Sequence, residues 1–311
     1  TPLLPYYPSP MYSQIDSNKR KTWFLIFLFV GILALAGWVY GYVVTNEGPT
    51  ALIIALVISL GMTAVSWFAG DAIALSTTGA RELTERSQFP ELWNIVENLA
   101  ITAGIPMPRV YIIEDESPNA FATGRDPKHS SVAVTTGLLH RLERVELEGV
   151  IAHEMSHVKN LDIRVMMVVI VLVGALSMLG DTFLRFGIGN RRGKSDRDNS
   201  GGIMVIVGIV FLVLAPIIGQ LIKLAVSRKR EYLADASGSL LTRYPEGLAL
   251  ALEKIRDVAI PLQRTSSATN HLWISEPTPA GGFSRFVAGI FSTHPPIEDR
   301  IAKLRNMGDN K

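Results

Sequence analysis

Four long apolar stretches constrain the fold of this chain more than any other feature of its sequence. Each has close to the roughly 20 residues that an α-helix needs to cross a bilayer. The stretches cover approximately residues 23–44, 51–69, 163–180 and 203–226. The short link 45–50 contains a glycine and a proline, so the first two stretches are predicted to form a helical hairpin. The pattern therefore predicts a mainly α-helical membrane protein.

Composition agrees with a membrane protein and limits the other classes. Of the 311 residues, 48% are apolar and only 19% are charged. A net charge of +2 is too small to indicate nucleic-acid binding. Because the chain has no cysteine, disulfides and thiolate metal sites are excluded. Any bound metal must therefore use histidine or carboxylate ligands.

The apolar stretches leave two alternatives open. A cleaved signal peptide is an alternative for the first stretch, although a signal core usually has about 7–15 apolar residues. The third and fourth stretches form either a second membrane hairpin or a hydrophobic hairpin that is buried in the protein or lies in the membrane interface. Between them, a loop at 187–202 is predicted to be mobile. The basic excess around this loop does not suit the outer side of a membrane.

Basic residues predict the orientation of the first hairpin. Three consecutive basic residues at 19–21 precede the first stretch, and Arg81 and Arg86 follow the second. The link between the two stretches has only Glu47 as a charged residue. Because cytoplasmic loops carry the excess of lysine and arginine, the N-terminus and the segment after the second stretch are predicted to be cytoplasmic.

Residues 153–157 read His-Glu-Met-Ser-His and form an H-E-x-x-H motif. On a helix, positions i and i+4 share one face, so His153 and His157 are able to bind one metal ion. Glu154 projects beside them, and it interrupts an apolar stripe where a buried carboxylate without a partner costs several kcal/mol. A divalent cation removes most of that cost. The alternative is an ordinary amphipathic helix with two incidental histidines.

A catalytic zinc site usually has three protein ligands and one open position. The extended form of the motif requires glycine at 160 and histidine at 163, but the chain has Asn160 and Ile163. The third ligand is therefore predicted to be Glu231, with Asp235 one helical turn later orienting a ligating histidine. The alternative for this pair is a solvated acidic face after a basic cluster.

The spacing of the motifs from the apolar stretches supports a shared site. His157 lies six positions before the third stretch, and Glu231 lies five positions after the fourth. Six helical residues span about 9 Å. The two antiparallel helices of one hairpin then bring both ligand clusters to the same membrane surface, so the metal is predicted close to the membrane plane.

With these motifs, the chain resembles the HtpX family of integral-membrane zinc metalloproteases. That family is related to CAAX prenyl proteases and mitochondrial Oma-type enzymes. The resemblance covers most of the chain and rests on four segments. They are residues 119–122 (NAFA), 153–157 (HEMSH), 231–235 (EYLAD) and 293–296 (THPP) with Arg300. It implies a gluzincin-type zinc protease domain that faces the cytoplasm, and a role in membrane-protein quality control under stress.

The predicted reaction is peptide-bond hydrolysis with one Zn²⁺ ion bound by the two histidines and the third ligand. Glu154 is predicted to act as the general base. His294 is predicted either to stabilise the oxyanion or to support a proline-bounded turn, and Arg300 either to orient a carboxylate through a bidentate contact or to face solvent. Asn119 precedes a strand and either holds a substrate carbonyl or forms the local turn.

The predicted organisation divides the chain into five segments. Residues 1–22 are predicted to form a disordered tail and residues 23–70 the first hairpin. The two parts of the protease domain are predicted at 71–162 and 227–311, and the second hairpin at 163–226. Helices are predicted at about 90–103, from 145, at 246–258 and at 296–305, and strands at 110–113, 120–123 and 131–135. A turn is predicted at 124–127 and a flexible cover at 263–292.

Three functions remain open from the sequence. The first is a zinc endopeptidase of the cell membrane that degrades misfolded or damaged membrane proteins on the cytoplasmic side. The second is a processing protease for dedicated or prenylated substrates. The third is a non-catalytic membrane scaffold or transport component with structural histidines, which predicts no hydrolysis. The expected partners are unfolded membrane proteins and the lipid bilayer, and the sequence does not predict the oligomeric state.

Overall fold

A computed structural model describes residues 10–42, 47–169, 171–172, 228–258, 260–263, 273–274 and 295–308. Several predictions fall outside these residues. They are the fourth apolar stretch, the loop at 187–202, most of the cover at 263–292, and His294.

The two N-terminal apolar stretches are helical, as predicted. Helix α1 spans Pro10–Tyr40 and helix α2 spans Gly48–Thr78. Both are long and apolar enough to cross a membrane. Only 28% of the apolar window of α1 and 11% of that of α2 are buried, as expected for helices that face lipid. The prediction of a disordered tail over residues 1–22 is wrong from Pro10 onward, because α1 begins there.

The described residues fall into two compact units. One unit contains those of residues 10–22, 71–167 and 228–308, and the other contains those of 23–70 and 168–172. In the second unit, α1 and α2 pack closely through small residues. A Cβ placed on Gly37 would lie 2.3 Å from the Cβ of Ala55, and one on Gly41 would lie 2.3 Å from that of Ala51. Glycine at these positions therefore permits the close approach of the two helices.

The first unit contains a four-stranded mixed sheet in the order β1-β2-β4-β3. Strands β2 and β4 are parallel, and the other two pairs are antiparallel. The strands are β1 (Arg81–Glu82), β2 (Arg109–Ile113), β3 (Ala120–Asp126) and β4 (His129–Thr135). The three predicted strands are confirmed, but β3 continues through the predicted turn at 124–127. Gly124 permits this with φ 136°, at an irregularity in the β3–β4 register.

Helices α3 to α8 belong to the described part of the first unit. They are α3 (Pro90–Ala103), α4 (Thr136–Arg141), α5 (Arg144–Lys159), α6 (Arg228–Thr242), α7 (Pro245–Asp257) and α8 (Ile297–Gly308). The predicted helices are confirmed, with ends that differ by at most three residues. Pro90 begins α3 at a position where its missing N–H costs nothing, and Gly104 ends it with φ 68°.

Helix α5 lies at the centre of the core. Val150, Ile151 and Met155 are fully buried in the main apolar cluster. The helix packs against β3 on one side and against α6 and α7 on the other. It ends at Asn160, and Leu161 adopts φ 59° before the chain becomes helical again over 162–169. The change of chain direction at Leu161 places Asp162 outside α5, directly after its C-terminal end.

Candidate metal centre

The two histidines of the H-E-x-x-H motif meet on one face of α5. His153 and His157 are 1% and 5% exposed, and their Nε2 atoms lie 3.2 Å apart. The rings are nearly perpendicular, at 88°. This is the arrangement predicted from the spacing of four residues, and it directs two imidazole nitrogens toward one point.

Helix α6 brings Glu231 to the same point. Glu231 Oε2 lies 3.6 Å from His153 Nε2, and Oε1 lies 3.5 Å from His157 Nε2. One ligand atom from each of the three residues falls within 4.8 Å of the others. Gly238 allows this approach, because a Cβ there would lie 2.9 Å from the backbone nitrogen of His153.

A separate carboxylate orients each histidine. His153 Nδ1 lies 2.9 Å from Asp235 Oδ1, and His157 Nδ1 lies 3.0 Å from Asp162 Oδ2. A neutral ring that donates its Nδ1–H to a carboxylate presents a lone pair at Nε2. Both rings are therefore held in the tautomer that binds a metal through Nε2.

Arg300 of α8 makes a bidentate contact with Asp235. Its Nε and Nη2 atoms donate to the two carboxylate oxygens at 2.9 and 2.6 Å. Its Nη1 atom also lies 3.8 Å from Glu231 Oε2. Burial favours the neutral form of Asp235, but the positive charge of Arg300 and the contacts with His153 and Arg300 together outweigh it and lower the pKa of Asp235 to about 2. The carboxylate that orients His153 is therefore ionised at neutral pH.

The site also shifts the pKa values of the two histidines upward. Burial lowers the pKa of His153, but the hydrogen bonds with Asp235 and Glu231 exceed this effect and raise it to about 9. For His157, burial is likewise outweighed by Asp162 and Glu231, and the pKa is raised. The surrounding carboxylates thus favour a positive charge at the point where the rings meet.

Glu154 is buried beside this cluster, with 2% exposure. Burial raises the pKa of Glu154, while the neighbouring histidines and the backbone amide of Ala122 on β3 act in the opposite direction. The carboxylate thus lies between the histidine pair and the strand, which is a suitable place for proton transfer.

The chemistry of the three converging side chains fits a tetrahedral metal ion. Convergence of two imidazole lone pairs and a carboxylate is electrostatically unfavourable unless a proton or a metal ion lies between them. The ligand atoms of tetrahedral zinc, with bonds of about 2.1 Å, are about 3.4 Å apart. The three observed separations of 3.2, 3.5 and 3.6 Å are close to that value.

Comparison with known proteins decides the family. The model of peptidase family M48 matches residues 86–308, which include all three converging side chains. The chain belongs to peptidase family M48. It is 48% identical to a protease HtpX homolog of Tropheryma whipplei over 300 residues, covering 96% of this chain and 99% of the relative. It is 46% identical to one of Dictyoglomus thermophilum over 303 residues, covering 97% of this chain and 96% of the relative.

A solved structure shares the fold of this M48 chain. The crystal structure of S. mikatae Ste24p matches with a TM-score of 0.51 and 19% sequence identity, covering 94% of this chain and 67% of that one. Membership in M48, with the HtpX relatives, identifies the chain as a membrane metalloprotease, and the resemblance to the HtpX family is confirmed. The family assignment favours this function over the alternative of a non-catalytic membrane scaffold.

The structure brings most of the predicted M48 site residues together. His153, His157, Glu231, Glu154, Asp235 and Arg300 lie in one buried cluster within the described residues. Asn119 directly precedes β3, and its Oδ1 accepts a hydrogen bond from the backbone nitrogen of Ala120 at 3.1 Å. The two alternatives for Asn119, substrate binding and a local turn, stay predictions. His294 lies outside the described residues.

Sequence reasoning missed three residues of the centre. Asp162 contacts His157 directly, and Arg230 and Asn18 contact Asp162. Asp162 had a visible signal, because it is an acidic residue five positions after a ligating histidine and directly before an apolar stretch. Asn18 had no visible signal in the sequence. It contacts the backbone of Asn160, which lies 142 positions further along the chain.

Proposed function

We propose that this metalloprotease is a zinc endopeptidase of the gluzincin type that degrades misfolded or damaged membrane proteins on the cytoplasmic side of the cell membrane. The observation that supports it most is the convergence of His153, His157 and Glu231, with both histidines oriented by carboxylates. Nitrogen and oxygen ligands in tetrahedral spacing suit zinc better than calcium or magnesium, which prefer sets of oxygen ligands.

Each residue of the centre has a defined task in this proposal. His153, His157 and Glu231 would bind the metal. A zinc ion held there would supply a water molecule activated for attack and would polarise the scissile carbonyl. Asp235 and Asp162 hold the imidazole rings in the binding tautomer. Arg300 keeps Asp235 ionised and fixed in orientation by its bidentate contact.

Glu154 moves the proton during hydrolysis. Its buried carboxylate accepts a proton from the attacking water and delivers it to the leaving amide nitrogen. Burial supports this task, because it raises the pKa of Glu154 above that of a surface carboxylate. His294 is retained as the residue proposed to donate a hydrogen bond to the developing oxyanion.

Strand β3 is the proposed binding site for extended substrate. It is the last strand on its side of the four-stranded sheet among the described residues, and it passes directly beside Glu154. Its outer edge accepts main-chain pairing, because the backbone nitrogen of Ile274 donates to the carbonyl of Ala120 at 3.0 Å. Main-chain pairing of this kind accommodates many sequences, as degradation of unfolded proteins requires.

The cellular location of the site follows from the charge pattern. Helices α1 and α2 are proposed to cross the membrane, with the N-terminus and the catalytic unit in the cytoplasm. The third and fourth apolar stretches are proposed to form a second membrane hairpin, which would make the protein multi-pass.

A substrate assay with two variants tests this function. The full chain in detergent, loaded with zinc, is incubated with an unfolded membrane protein and with the same protein folded. The parent is expected to cleave the unfolded form faster. Glu154→Gln is expected to retain the metal and lose at least 100-fold in rate, in line with the usual contribution of a general base.

The second variant, His157→Ala, is expected to lose both metal and cleavage. Cleavage by Glu154→Gln within a few-fold of the parent rate would remove the assigned base. Equal cleavage of folded and unfolded substrate by the parent would contradict the proposed substrate class and leave the metalloprotease class intact.

A further inference from the structure

Asn18 is completely buried in α1, although it lies only five positions before the apolar part of that helix begins at 23. Its side-chain amide donates two hydrogen bonds. One goes to the backbone carbonyl of Asn160 at 2.8 Å and the other to Asp162 Oδ1 at 2.7 Å. Both acceptors belong to the same compact unit as Asn18. The first helix of the chain thus contacts the turn that follows the H-E-x-x-H helix.

Arg230 completes a closed set of contacts around Asn18. Its Nη2 atom donates to Asn18 Oδ1, and its Nη1 atom lies 3.0 Å from Asp162 Oδ1. Arg230 is only 3% exposed and directly precedes Glu231 in α6. Asn18 therefore connects the segment after one metal ligand with the segment before another.

Asp162 divides its two carboxylate oxygens between different tasks. Oδ2 lies 3.0 Å from His157 Nδ1. Oδ1 accepts a hydrogen bond from Asn18 and forms an ion pair with Arg230. The hydrogen bond from Asn18 and the adjacent positive charge of Arg230 at Oδ1 keep the carboxylate from rotating away from the imidazole. A carboxylate that is fixed in this way holds the ring orientation and raises the basicity of the ligating nitrogen.

We propose that Asn18 is a positioning residue of the metal centre, which holds His157 in its binding orientation through Asp162 and Arg230. This inference rests on the proposed function, because it assumes that His157 binds the metal. Asn18 lies outside residues 86–308, which the family model matches, so the metal centre depends on an element beyond the peptidase domain of that model. The N-terminal helix then has a part in metal binding as well as in membrane anchoring.

An amide is the side chain that this position requires. It donates to Asp162 and accepts from Arg230 at the same time. Leucine has a similar size but neither donates nor accepts, and it would leave Arg230 and Asp162 without this partner. Aspartate would accept from Arg230, but it would place a second carboxylate against Asp162.

Cobalt titration of the full chain in detergent tests the proposal. Asn18→Leu is expected to bind Co²⁺ about tenfold more weakly than the parent, since loss of an outer partner of a ligand typically costs 10–100-fold in metal affinity. The visible absorption of the bound Co²⁺ is expected to change, because it reports the ligand geometry. In the zinc-loaded protein, kcat is expected to fall with little change in KM.

The matched control is Thr22→Val, one helical turn after Asn18. Thr22 is equally buried, with 1% exposure, but its hydroxyl donates only to the carbonyl of Asn18 within its own helix, at 2.8 Å. This variant is expected to bind Co²⁺ like the parent. A second comparison adds Asn18→Leu to the Asp162→Ala variant. The added substitution is expected to have no further effect on the Co²⁺ affinity, because the carboxylate that connects Asn18 with His157 is already absent.

The outcomes separate this inference from the proposed function. If Asn18→Leu keeps its helical circular-dichroism spectrum and binds Co²⁺ within twofold of the parent, the inference is wrong while the proposed function stands. An equal loss of affinity in the Asp162→Ala background would show that Asn18 acts through general stability, which also overturns it. The proposed function itself would be contradicted if the parent bound no Co²⁺. It would also be contradicted if the His157→Ala variant bound Co²⁺ as well as the parent does.

Discussion

At the scale of single residues, the centre consists of paired charges that determine each other's state. Asp235 contacts both His153 and Arg300, so one carboxylate orients a ligand and neutralises a buried guanidinium. All three side chains are nearly inaccessible to solvent. Because a buried charge without its partner costs several kcal/mol, each of these residues requires the other two.

Removal of Arg300 is therefore expected to destabilise the fold. In Arg300→Leu, Asp235 and Glu231 remain buried without their cation, and the free energy of unfolding of the metal-free protein is expected to fall by about 3–5 kcal/mol. Denaturant titration of the detergent-solubilised chain measures this change. The control is Arg305→Leu on the same helix, which breaks half-exposed ion pairs and is expected to leave the free energy of unfolding nearly unchanged. Equal losses in the two variants would contradict the assigned role of Arg300.

At the scale of secondary-structure elements, the contact between α5 and α6 builds the site. Helix α5 supplies two of the three converging side chains, and α6 supplies the third together with Asp235. Gly238 lies at a close contact between the two helices, one turn beyond Asp235 on the same helix. The distance between the two helices thus determines whether Glu231 reaches the histidines.

A single methyl group at Gly238 is expected to weaken metal binding. In Gly238→Ala the added Cβ would lie 2.9 Å from the backbone of His153, so α6 must move away from α5. Overpacking of this kind costs typically 1–3 kcal/mol of stability. Metal affinity, measured by competition with a chelator, is expected to fall with it. Gly308→Ala is the control, since its Cβ would meet nothing within 4 Å; unchanged metal affinity in Gly238→Ala would contradict this account.

Local patterns were sufficient to predict most elements but not all of their connections. The H-E-x-x-H spacing, the pair Glu231 and Asp235, and the strand segments depend on residues close in sequence, and the structure has them where they were predicted. The helical start at Pro10 was missed, because the polar residues before the apolar stretch have no periodic signal. The contact between Asn18 and Asp162 joins positions 144 apart, and no local pattern encodes it.

At the scale of the whole molecule, the chain combines two helices suited to lipid with a compact unit that contains the metal centre. The proposed orientation places the link between α1 and α2 outside the cell and the compact unit inside. The prediction that the metal lies near the membrane plane stays a prediction.

The absence of cysteine allows a direct test of this orientation. Glu47→Cys and Ser87→Cys each place one thiol at an exposed position, in the link and after α2 respectively. A membrane-impermeant maleimide is expected to label Glu47→Cys in intact cells, and Ser87→Cys only after the membrane is permeabilised. The reverse pattern would show that the catalytic unit faces outward.

Metal removal is expected to lower the stability of the compact unit. A ligand at 1,000 times its Kd stabilises the folded state by about 4 kcal/mol. A chelator is therefore expected to lower the Tm of the parent by several degrees. The His157→Ala variant serves as the control, and its Tm is expected not to respond to the chelator. A parent Tm that does not respond would show that the centre is stable without an ion.

The most direct test of the whole account is the metal content of the parent and of Glu231→Ala, measured by elemental analysis after dialysis. Glu231 is the proposed ligand that comes from a second helix, so its contribution decides whether the centre is built as described. The account predicts one zinc ion per chain in the parent and almost none in Glu231→Ala, with the helical circular-dichroism spectrum unchanged. A full complement of zinc in Glu231→Ala would contradict it.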